Sequence, residues 1–295
     1  MSVTEGQGSV IGKTLGRYKI LRTFGSERDE VRYVAEDLSR GRHVTLRVLP
    51  SIMDTKGSPE RLDELLERIK AVAAVSHPNV AAIDDFGEDQ GVVYVATELL
   101  EGQTLRQRLH GRRLSPVEAV EYARQIAEGL AAAHGRDIVH GDLRPENVFI
   151  TRPGKIKVLD FGLGDTTGEP RPMEPGYWSP ERVEGGPVDA RSDVFSFGAV
   201  LYEMLSGSPA FSRDSAASTM AAVLDEDPPE LSRSAAVPSS LEQIVKKCLK
   251  KSSEDRYGSA QDVADAIDAL SEETTTERPP VVDSEPSPRR KWKFF

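Results

Sequence analysis

The first hundred residues alternate short apolar runs with turn residues. Runs rich in β-branched and aromatic residues predict four strands, at 18–24, 31–36, 43–49 and 92–97. One helix is predicted between the third and fourth strands, with Ser58-Pro59 at its start, because apolar residues recur on one face with helical periodicity. These are Leu62, Leu65, Leu66, Ile69, Val72 and Ala73. We therefore expect a small β-rich lobe over residues 17–98.

The pattern becomes helical after Gly102. A Ser115-Pro116-Val117-Glu118 sequence, typical of a capping box, precedes an apolar stripe and predicts a long helix. Further helices are predicted at 192–205, 241–250 and 259–270, and two short strands at 148–150 and 156–159. Residues 103–270 should form a larger, mainly helical lobe, so the expected fold class is α+β.

Both ends of the chain differ from this central part. Residues 1–16 are rich in Gly, Ser and Thr and indicate a flexible leader, whereas 271–288 are rich in Pro, Glu and Thr and indicate a disordered linker. The last seven residues, Arg289–Phe295, combine four positive charges with three aromatic rings. They could contact anionic lipid headgroups, or border a membrane span, or remain solvated.

Composition excludes several function classes. A net charge of −10 and a pI near 5.2 argue against a nucleic-acid partner, since such partners are attracted by clustered Lys and Arg. The single cysteine, Cys248, falls at core spacing in a predicted helix and indicates a buried structural thiol. With no signal peptide and no apolar run of spanning length, the expected location is the cytoplasm, either free or as the cytoplasmic part of a membrane-anchored protein.

Four motifs follow one another in the second lobe: residues 140–147 (HGDLRPEN), 160–162 (DFG), 179–181 (SPE) and 192–198 (SDVFSFG). Together they resemble the signature set of protein kinases, especially bacterial serine/threonine kinases of eukaryotic type. The resemblance extends over about Arg17–Leu270 and implies a two-lobed protein-kinase fold with ATP and Mg²⁺ as cofactors and a protein as substrate or partner.

The resemblance implies roles for individual residues. Asp142 corresponds to the catalytic-loop base, Arg144 to the catalytic-loop lysine, and Asn147 and Asp160 to the metal ligands. Gly141 replaces an arginine that many kinases use to sense a phosphorylated activation loop, so we do not expect that form of control.

Other matching residues are expected to be structural. His140 and Phe161 should pack the catalytic core, and Asp193 should hold the backbone of the catalytic loop. Glu181 should form a buried ion pair with Arg256.

The first lobe departs from the family pattern at the nucleotide site. The three positions of the glycine-rich loop fall on Gly25, Glu27 and Glu30, and acidic side chains there would repel phosphate. Arg32 and Thr45 replace the valine and alanine that cover the adenine, and Arg47 replaces the phosphate-binding lysine. The helix glutamate that pairs with this lysine corresponds to Arg68, so two cations would face each other unless Glu64 or Glu67 takes that place.

The remaining predictions concern the hinge and the activation segment. Thr97 corresponds to the gatekeeper, and Glu98 and Leu100 to the residues whose backbone binds adenine. Glu174 replaces a threonine beside the catalytic aspartate, and we expect it to form a salt bridge with Arg144 over Asp142. Thr166 and Thr167 are candidate phosphorylation sites.

Three functions remain open from the sequence. The first is a pseudokinase, or a strongly impaired kinase, that acts in signalling by binding a protein partner. The second is an active ATP-dependent serine/threonine kinase with an unusual nucleotide site, because Asp142, Asn147 and Asp160 are present. The third is a structural or membrane-proximal module that binds no nucleotide, with Arg32 filling the pocket.

Overall fold

The computed structural model describes residues 10–27, 30–49, 59–89, 91–162, 174–231 and 237–276. Side chains are described for the same residues except 25–27, 30–31, 59–61 and 271–276. The predicted phosphorylation sites Thr166 and Thr167, most of the predicted leader and linker, and the whole basic-aromatic end therefore lie outside the described residues.

The first lobe (the N-lobe) is built on an antiparallel sheet with strand order β1-β2-β3-β4-β6-β5. Its strands are β1 Thr14–Leu15, β2 Tyr18–Glu27, β3 Glu30–Asp37, β4 Arg42–Leu49, β5 Ile83–Asp89 and β6 Val92–Glu98. Helix α1 (Pro59–Ala73) packs Leu65 and Ile69 against β4 and β6, as the apolar periodicity predicts. The other apolar face of the sheet carries a separate cluster around Tyr18 and Leu46.

The second lobe (the C-lobe) is mainly helical. Its helices are α2 Leu105–Leu109, α3 Pro116–His134, α4 Pro180–Val183, α5 Ala190–Ser206, α6 Ala216–Asp225, α7 Ser239–Cys248 and α8 Ala260–Thr276. Helix α5 is buried over most of its length, and α3, α7 and α8 surround it around one large apolar cluster. Cys248 is buried in this cluster, and burial raises the pKa of its thiol, in agreement with a structural role.

A small three-stranded sheet places the catalytic motifs at the junction of the lobes. Its strands, in the order β7-β8-β9, are β7 Gly102–Thr104, β8 Val148–Thr151 and β9 Ile156–Val158. The segment 140–147 enters β8, and the Asp160-Phe161-Gly162 motif follows β9. The loop that leads into the sheet and the turn that leaves it are therefore neighbours.

Several elements differ from the sequence predictions. Strands β1, β5 and β7 and helices α2 and α6 were not predicted, and α8 continues to Thr276, past the expected domain end at Leu270. Ser115 does cap α3 by accepting a hydrogen bond from the Glu118 amide at 3.2 Å, but the Glu118 carboxylate binds Arg108 at 3.0 Å instead of completing a capping box. Among the described residues, no helix combines the length and the apolarity needed to span a membrane.

Candidate active site

The catalytic loop brings Asp142 and Asn147 together. Asn147 Nδ2 donates to the Asp142 carbonyl at 2.8 Å and to its carboxylate at 3.3 Å. The Asp142 amide donates to His140 Nδ1 at 3.1 Å, and the His140 ring packs at 4.7 Å from the Phe161 ring. Both rings are buried, as predicted. Hydrogen bonds within the loop thus hold Asp142 and its carboxylate in position.

Asp193 holds this loop from below, as the resemblance implies. Its carboxylate accepts hydrogen bonds from the His140 amide at 2.7 Å and the Gly141 amide at 2.8 Å. The same carboxylate contacts His134 Nε2 at 2.8 Å and is almost fully buried. Gly141 has φ of +73°, a left-handed conformation that glycine adopts without steric cost.

The ion pair predicted to brace the C-lobe is present. Arg256 donates from both terminal nitrogens to the two Glu181 oxygens, each at 2.8 Å, and Ser192 Oγ donates to the same carboxylate at 2.6 Å. Burial alone would raise the pKa of Glu181, but these hydrogen bonds lower it to about 2. Glu181 is therefore a fixed anion in the native protein near neutral pH.

Two arginines of the N-lobe bind the predicted metal ligand Asp160. Arg32 Nη2 donates to Asp160 Oδ2, and Arg47 Nη1 lies 3.1 Å from Asp160 Oδ1. The Arg47 side chain is 6% exposed and the Asp160 side chain 14%, so water screens this contact weakly. Each oxygen of the carboxylate thus faces a guanidinium group.

Strand register explains why both arginines reach the same carboxylate. Arg32 on β3 lies directly opposite Arg47 on β4, so both side chains leave the same face of the sheet. Like charges at directly opposed positions repel each other, and a carboxylate between them offsets that repulsion. The alignment predicts Arg32 over the adenine; instead its guanidinium extends to the predicted metal end of the cleft.

Arg68 also lies beside the metal motif. Its Nη1 is 3.5 Å from the Gly162 carbonyl oxygen, and a Cβ added to Gly162 would lie 3.3 Å from Arg68 Cδ. Of the two glutamates considered as replacements for the missing helix carboxylate, both are exposed, and Glu67 pairs with Lys70 on the same helix at 3.2 Å. Among the described ion pairs, Arg47 pairs with the carboxylate of Asp160 and not with Glu64 or Glu67.

The predicted hinge residues lie between the two sheets. Thr97 Oγ1 donates to the Thr45 carbonyl at 3.5 Å, and Thr45 is buried opposite Thr97 in the sheet. Glu98 ends β6, and its carboxylate accepts hydrogen bonds from the Ala82 amide at 2.9 Å and from Lys157 Nζ at 2.7 Å. Leu100 is half-buried in the link from β6 to β7. The hinge is therefore anchored to the C-lobe through a lysine.

The predicted glycine-rich loop is the β2–β3 hairpin. Gly25 and Glu27 lie in β2 and Glu30 in β3, and the last registered pair before the turn is Glu27 opposite Glu30. Two acidic residues thus occupy directly opposed positions at the end of the hairpin. The expected repulsion of phosphate by these residues remains a prediction.

Below Asp142, a group of six residues, which we name the Arg106 network, joins α2 to the catalytic loop and to α5. Arg106 lies 2.5 Å from Glu146 and 2.5 Å from Glu203, and donates to the Tyr177 hydroxyl at 2.7 Å. Tyr177 donates in turn to Glu203. The full network is Arg106, Arg144, Glu146, Glu174, Tyr177 and Glu203.

Arg144 takes part in this network through two carboxylates. Its Nε lies 2.9 Å from Glu146, and its Nη2 lies 3.8 Å from Glu174, within ion-pair range. The predicted Arg144–Glu174 salt bridge is thus present, although Glu146 is the nearer partner. Burial would lower the pKa of Arg144, but Glu146, Asp142 and Glu174 raise it, so the guanidinium remains charged near the predicted base Asp142.

These contacts decide whether Asn147 and Asp160, the predicted metal ligands, fit Mg²⁺. Asn147 and Asp160 are the ligand types that Mg²⁺ takes, since it prefers oxygen donors. However, both Asp160 oxygens are bound by arginine, and two guanidinium charges beside the carboxylate would repel a divalent cation. Within the described ranges, no group of three or more His, Cys, Asp or Glu residues is arranged to hold a metal ion. The residues in this arrangement do not fit Mg²⁺.

The sequence matches the protein kinase domain family over residues 30–266. The chain belongs to this family. Among its relatives is the serine/threonine-protein kinase PrkC of Bacillus subtilis (strain 168), which is 34% identical over 264 residues, covering 86% of this chain and 40% of PrkC. PknB of Mycobacterium tuberculosis is 32% identical over 262 residues, covering 84% of this chain and 42% of PknB.

Solved structures support the same fold. The kinase domain of Mycobacterium tuberculosis PknI superposes with a TM-score of 0.73 at 24% sequence identity, covering 88% of this chain and 98% of that domain. The predicted bacterial-type serine/threonine kinase family and two-lobed kinase fold are thus confirmed. The chain spans less than half the length of the kinases PrkC and PknB that it matches.

Sequence reasoning missed the centre of the Arg106 network. Arg106, Tyr177 and Glu203 were not singled out, although the structure joins them beside the catalytic loop. One signal was available for α2: Thr104 and Gln107 have capping-box spacing, and both reciprocal hydrogen bonds are formed. A predicted α2 would have placed Arg106 on a helix near the hinge.

Proposed function

We propose that this domain is a pseudokinase, or a strongly impaired kinase, that acts in signalling by binding a protein partner. The observation that supports the proposal most strongly is the pairing of Asp160 with Arg32 and Arg47. Phosphoryl transfer in this family depends on metal ions that neutralise phosphate oxygens, and Asp160 corresponds to the aspartate that holds one of them. An aspartate bound by two arginines is a poor metal ligand.

The substrate side of the cleft supports the same proposal. Glu174 pairs with Arg144 at 3.8 Å, and the alignment sets Glu174 beside the predicted base Asp142, where a substrate hydroxyl would approach. Arg106 is a second cation within ion-pair range of Glu174, at 3.7 Å, and this second contact holds it in place. A protein hydroxyl would have to displace a carboxylate held by two cations before reaching Asp142.

An active kinase with an unusual nucleotide site is the second candidate, and the intact catalytic loop favours it. Asp142 and Asn147 are hydrogen-bonded to each other, and Asp193 holds the loop backbone. If ATP drew the two arginines away from Asp160, this carboxylate would become available to a metal. Relatives named serine/threonine kinases agree with this candidate as well.

Transfer of labelled phosphate from ATP in the presence of Mg²⁺ distinguishes the candidates. The wild-type domain and Asp142→Ala are incubated with a generic protein substrate and compared with no-enzyme controls. The proposal predicts incorporation by the wild type at, or only slightly above, the background that Asp142→Ala gives. Incorporation by the wild type far above this background that Asp142→Ala abolishes would establish the active kinase instead.

A further inference from the structure

We infer that Arg32 and Arg47 form a phosphate-binding site that takes the place of the metal, so that the domain binds the phosphates of a nucleoside triphosphate without a divalent cation. This inference rests on the proposed function, because it concerns the same cleft. It names the ligand class and assigns the recognition to two side chains. The pairing of these arginines with Asp160 supplies the main evidence.

The first step is the charge of the cluster. Two guanidinium groups contribute +2 and the Asp160 carboxylate contributes −1, which leaves +1 among the three groups. Arginine remains cationic throughout the physiological pH range. Arg68, beside the Gly162 carbonyl, adds a third cation at the same end of the cleft. Among these named groups the cations outnumber the single carboxylate, so together they favour a further anion over a cation.

The second step is geometry. Guanidinium groups bind phosphate oxygens through paired, nearly parallel hydrogen bonds, which gives phosphate sites their specificity. Arg32 and Arg47 leave directly opposed positions on one face of the sheet and already converge on a single pair of oxygens in Asp160. A phosphate group offers the same type of acceptor with more charge. It could therefore replace the carboxylate as their counter-ion.

The rest of the nucleotide would lie along β4, between the hinge and the arginine pair. Thr45 lies two residues before Arg47 on β4, on the same face of the sheet, and opposite Thr97 at the hinge. A two-residue step along a strand spans about 7 Å. A base placed at the hinge would thus have its phosphates directed along β4 toward the arginine pair. The acidic β2–β3 hairpin does not need to close over them.

Asp160 serves as the counter-ion of the arginine pair when no ligand is bound. Asp160 has φ of +61°, a conformation that is uncommon for a residue other than glycine. Its ion pairs with the arginines stabilise that conformation and also keep the two like charges from repelling each other. The carboxylate is thus a resident counter-ion that an incoming phosphate displaces.

The test is calorimetric titration of the intact chain with ATP, once in EDTA and once with excess Mg²⁺. We expect ATP to bind at least as tightly in EDTA as with Mg²⁺, with an affinity that falls as salt rises. Inorganic triphosphate should bind in EDTA, whereas adenosine should bind at least about tenfold more weakly than ATP, which assigns the recognition to the phosphates. Binding of ATP that requires Mg²⁺, or adenosine binding as tight as ATP, would overturn the inference.

Three variants test the contribution of Arg32. Arg32→Val should weaken ATP binding in EDTA by about tenfold or more, whereas Arg22→Val, which removes an exposed cation from β2, should leave it unchanged. Arg32→Lys retains the charge and should give an intermediate loss, which separates a lost guanidinium from misfolding. Equal binding by Arg32→Val and wild type would contradict the inference.

These measurements separate the inference from the proposed function. Absence of ATP binding in both buffers overturns the inference and leaves the pseudokinase proposal standing. Phosphate transfer that depends on Asp142 overturns the pseudokinase proposal. If binding in EDTA nevertheless persists in that case, the arginine site remains supported.

Discussion

Replacing Arg106 with alanine should destabilise the C-lobe, because its guanidinium pairs closely with two carboxylates and more distantly with a third, Glu174. Arg106 Nε lies 2.5 Å from Glu146 and Nη1 lies 2.5 Å from Glu203. The Glu203 side chain is only 3% exposed, and the Glu146 side chain is 13% exposed. Removal of the cation would leave the buried Glu203 with the Tyr177 hydroxyl as its donor, whereas Glu146 would keep Arg144 Nε at 2.9 Å.

The size of the effect follows from burial. Removing one partner of a buried ion pair costs about 3–5 kcal/mol, whereas an exposed pair contributes about 0–1 kcal/mol. The Arg106 side chain is 29% exposed, so solvent screens part of its charge. We therefore expect a loss of about 3 kcal/mol in the free energy of unfolding, at the low end of the buried range.

The loss should also depend on pH, with a defined sign. Burial raises the pKa of Glu203 even in the presence of Arg106, and loss of the cation should raise it further. A carboxyl with a higher pKa in the folded state than in the unfolded state takes up protons on folding, so the folded state gains stability as pH falls through the raised pKa. The deficit of Arg106→Ala should thus be largest near about pH 8 and smaller near about pH 5.

Urea unfolding of wild type and variant across this pH range measures both effects. Arg108→Ala is the matched control, because Arg108 lies on the same helix and pairs with the partly exposed Glu118 at 3.0 Å. It should cost no more than about 1 kcal/mol. Equal losses for the two variants, or a deficit for Arg106→Ala that grows as pH falls, would refute the reasoning.

Three further predictions concern the C-lobe framework. Because the pKa of Glu181 is lowered to about 2 from 4.5, its contribution to stability should be present above about pH 4.5 and lost as pH falls toward 2, and Glu181→Gln should remove this dependence in urea unfolding. Gly198→Ala would place a Cβ 2.6 Å from Cys248 Cβ, so overpacking should lower the free energy of unfolding by about 1–3 kcal/mol and with it the melting temperature; an unchanged melting temperature would contradict this. Asp193→Ala should increase amide hydrogen exchange at His140, which protection equal to wild type would contradict.

Elements with strong periodicity could be predicted from the sequence. Helix α1 shows an uninterrupted apolar face, and Leu65 and Ile69 lie on that face in the structure. Strand β4 coincides with a predicted run of β-branched and apolar residues, and these residues are buried in the sheet. In such segments local preference and tertiary packing favour the same structure.

Elements whose structure depends on a neighbour could not be predicted in this way. Strand β5 has the sequence IDDFGED, in which acidic residues and a glycine disfavour a strand, but pairing with β6 places Phe86 opposite Val95. Strand β7 has only three residues and exists through its pairing with β8. Tertiary pairing outweighs local preference in both strands.

The candidate site likewise contains residues that motifs could predict and contacts that they could not. Motif matches were sufficient to predict roles for Asp142, Asn147 and Asp160, because their spacing is a family feature. The contact of Arg32 with Asp160 joins residues 128 positions apart and depends on strand register and on the approach of the two lobes. A sequence pattern contains neither quantity, so the contact of Arg32 with Asp160 could not be predicted.

Manganese binding measured by electron paramagnetic resonance, with Mn²⁺ and ATP added to wild type and to Asp160→Asn, tests most directly whether Asp160 is a metal ligand. If arginines hold this carboxylate, neither protein should bind Mn²⁺ stoichiometrically, and the spectrum of the added Mn²⁺ and ATP should be the same with either protein. A stoichiometric Mn²⁺ site in the wild type that disappears in Asp160→Asn would contradict the account.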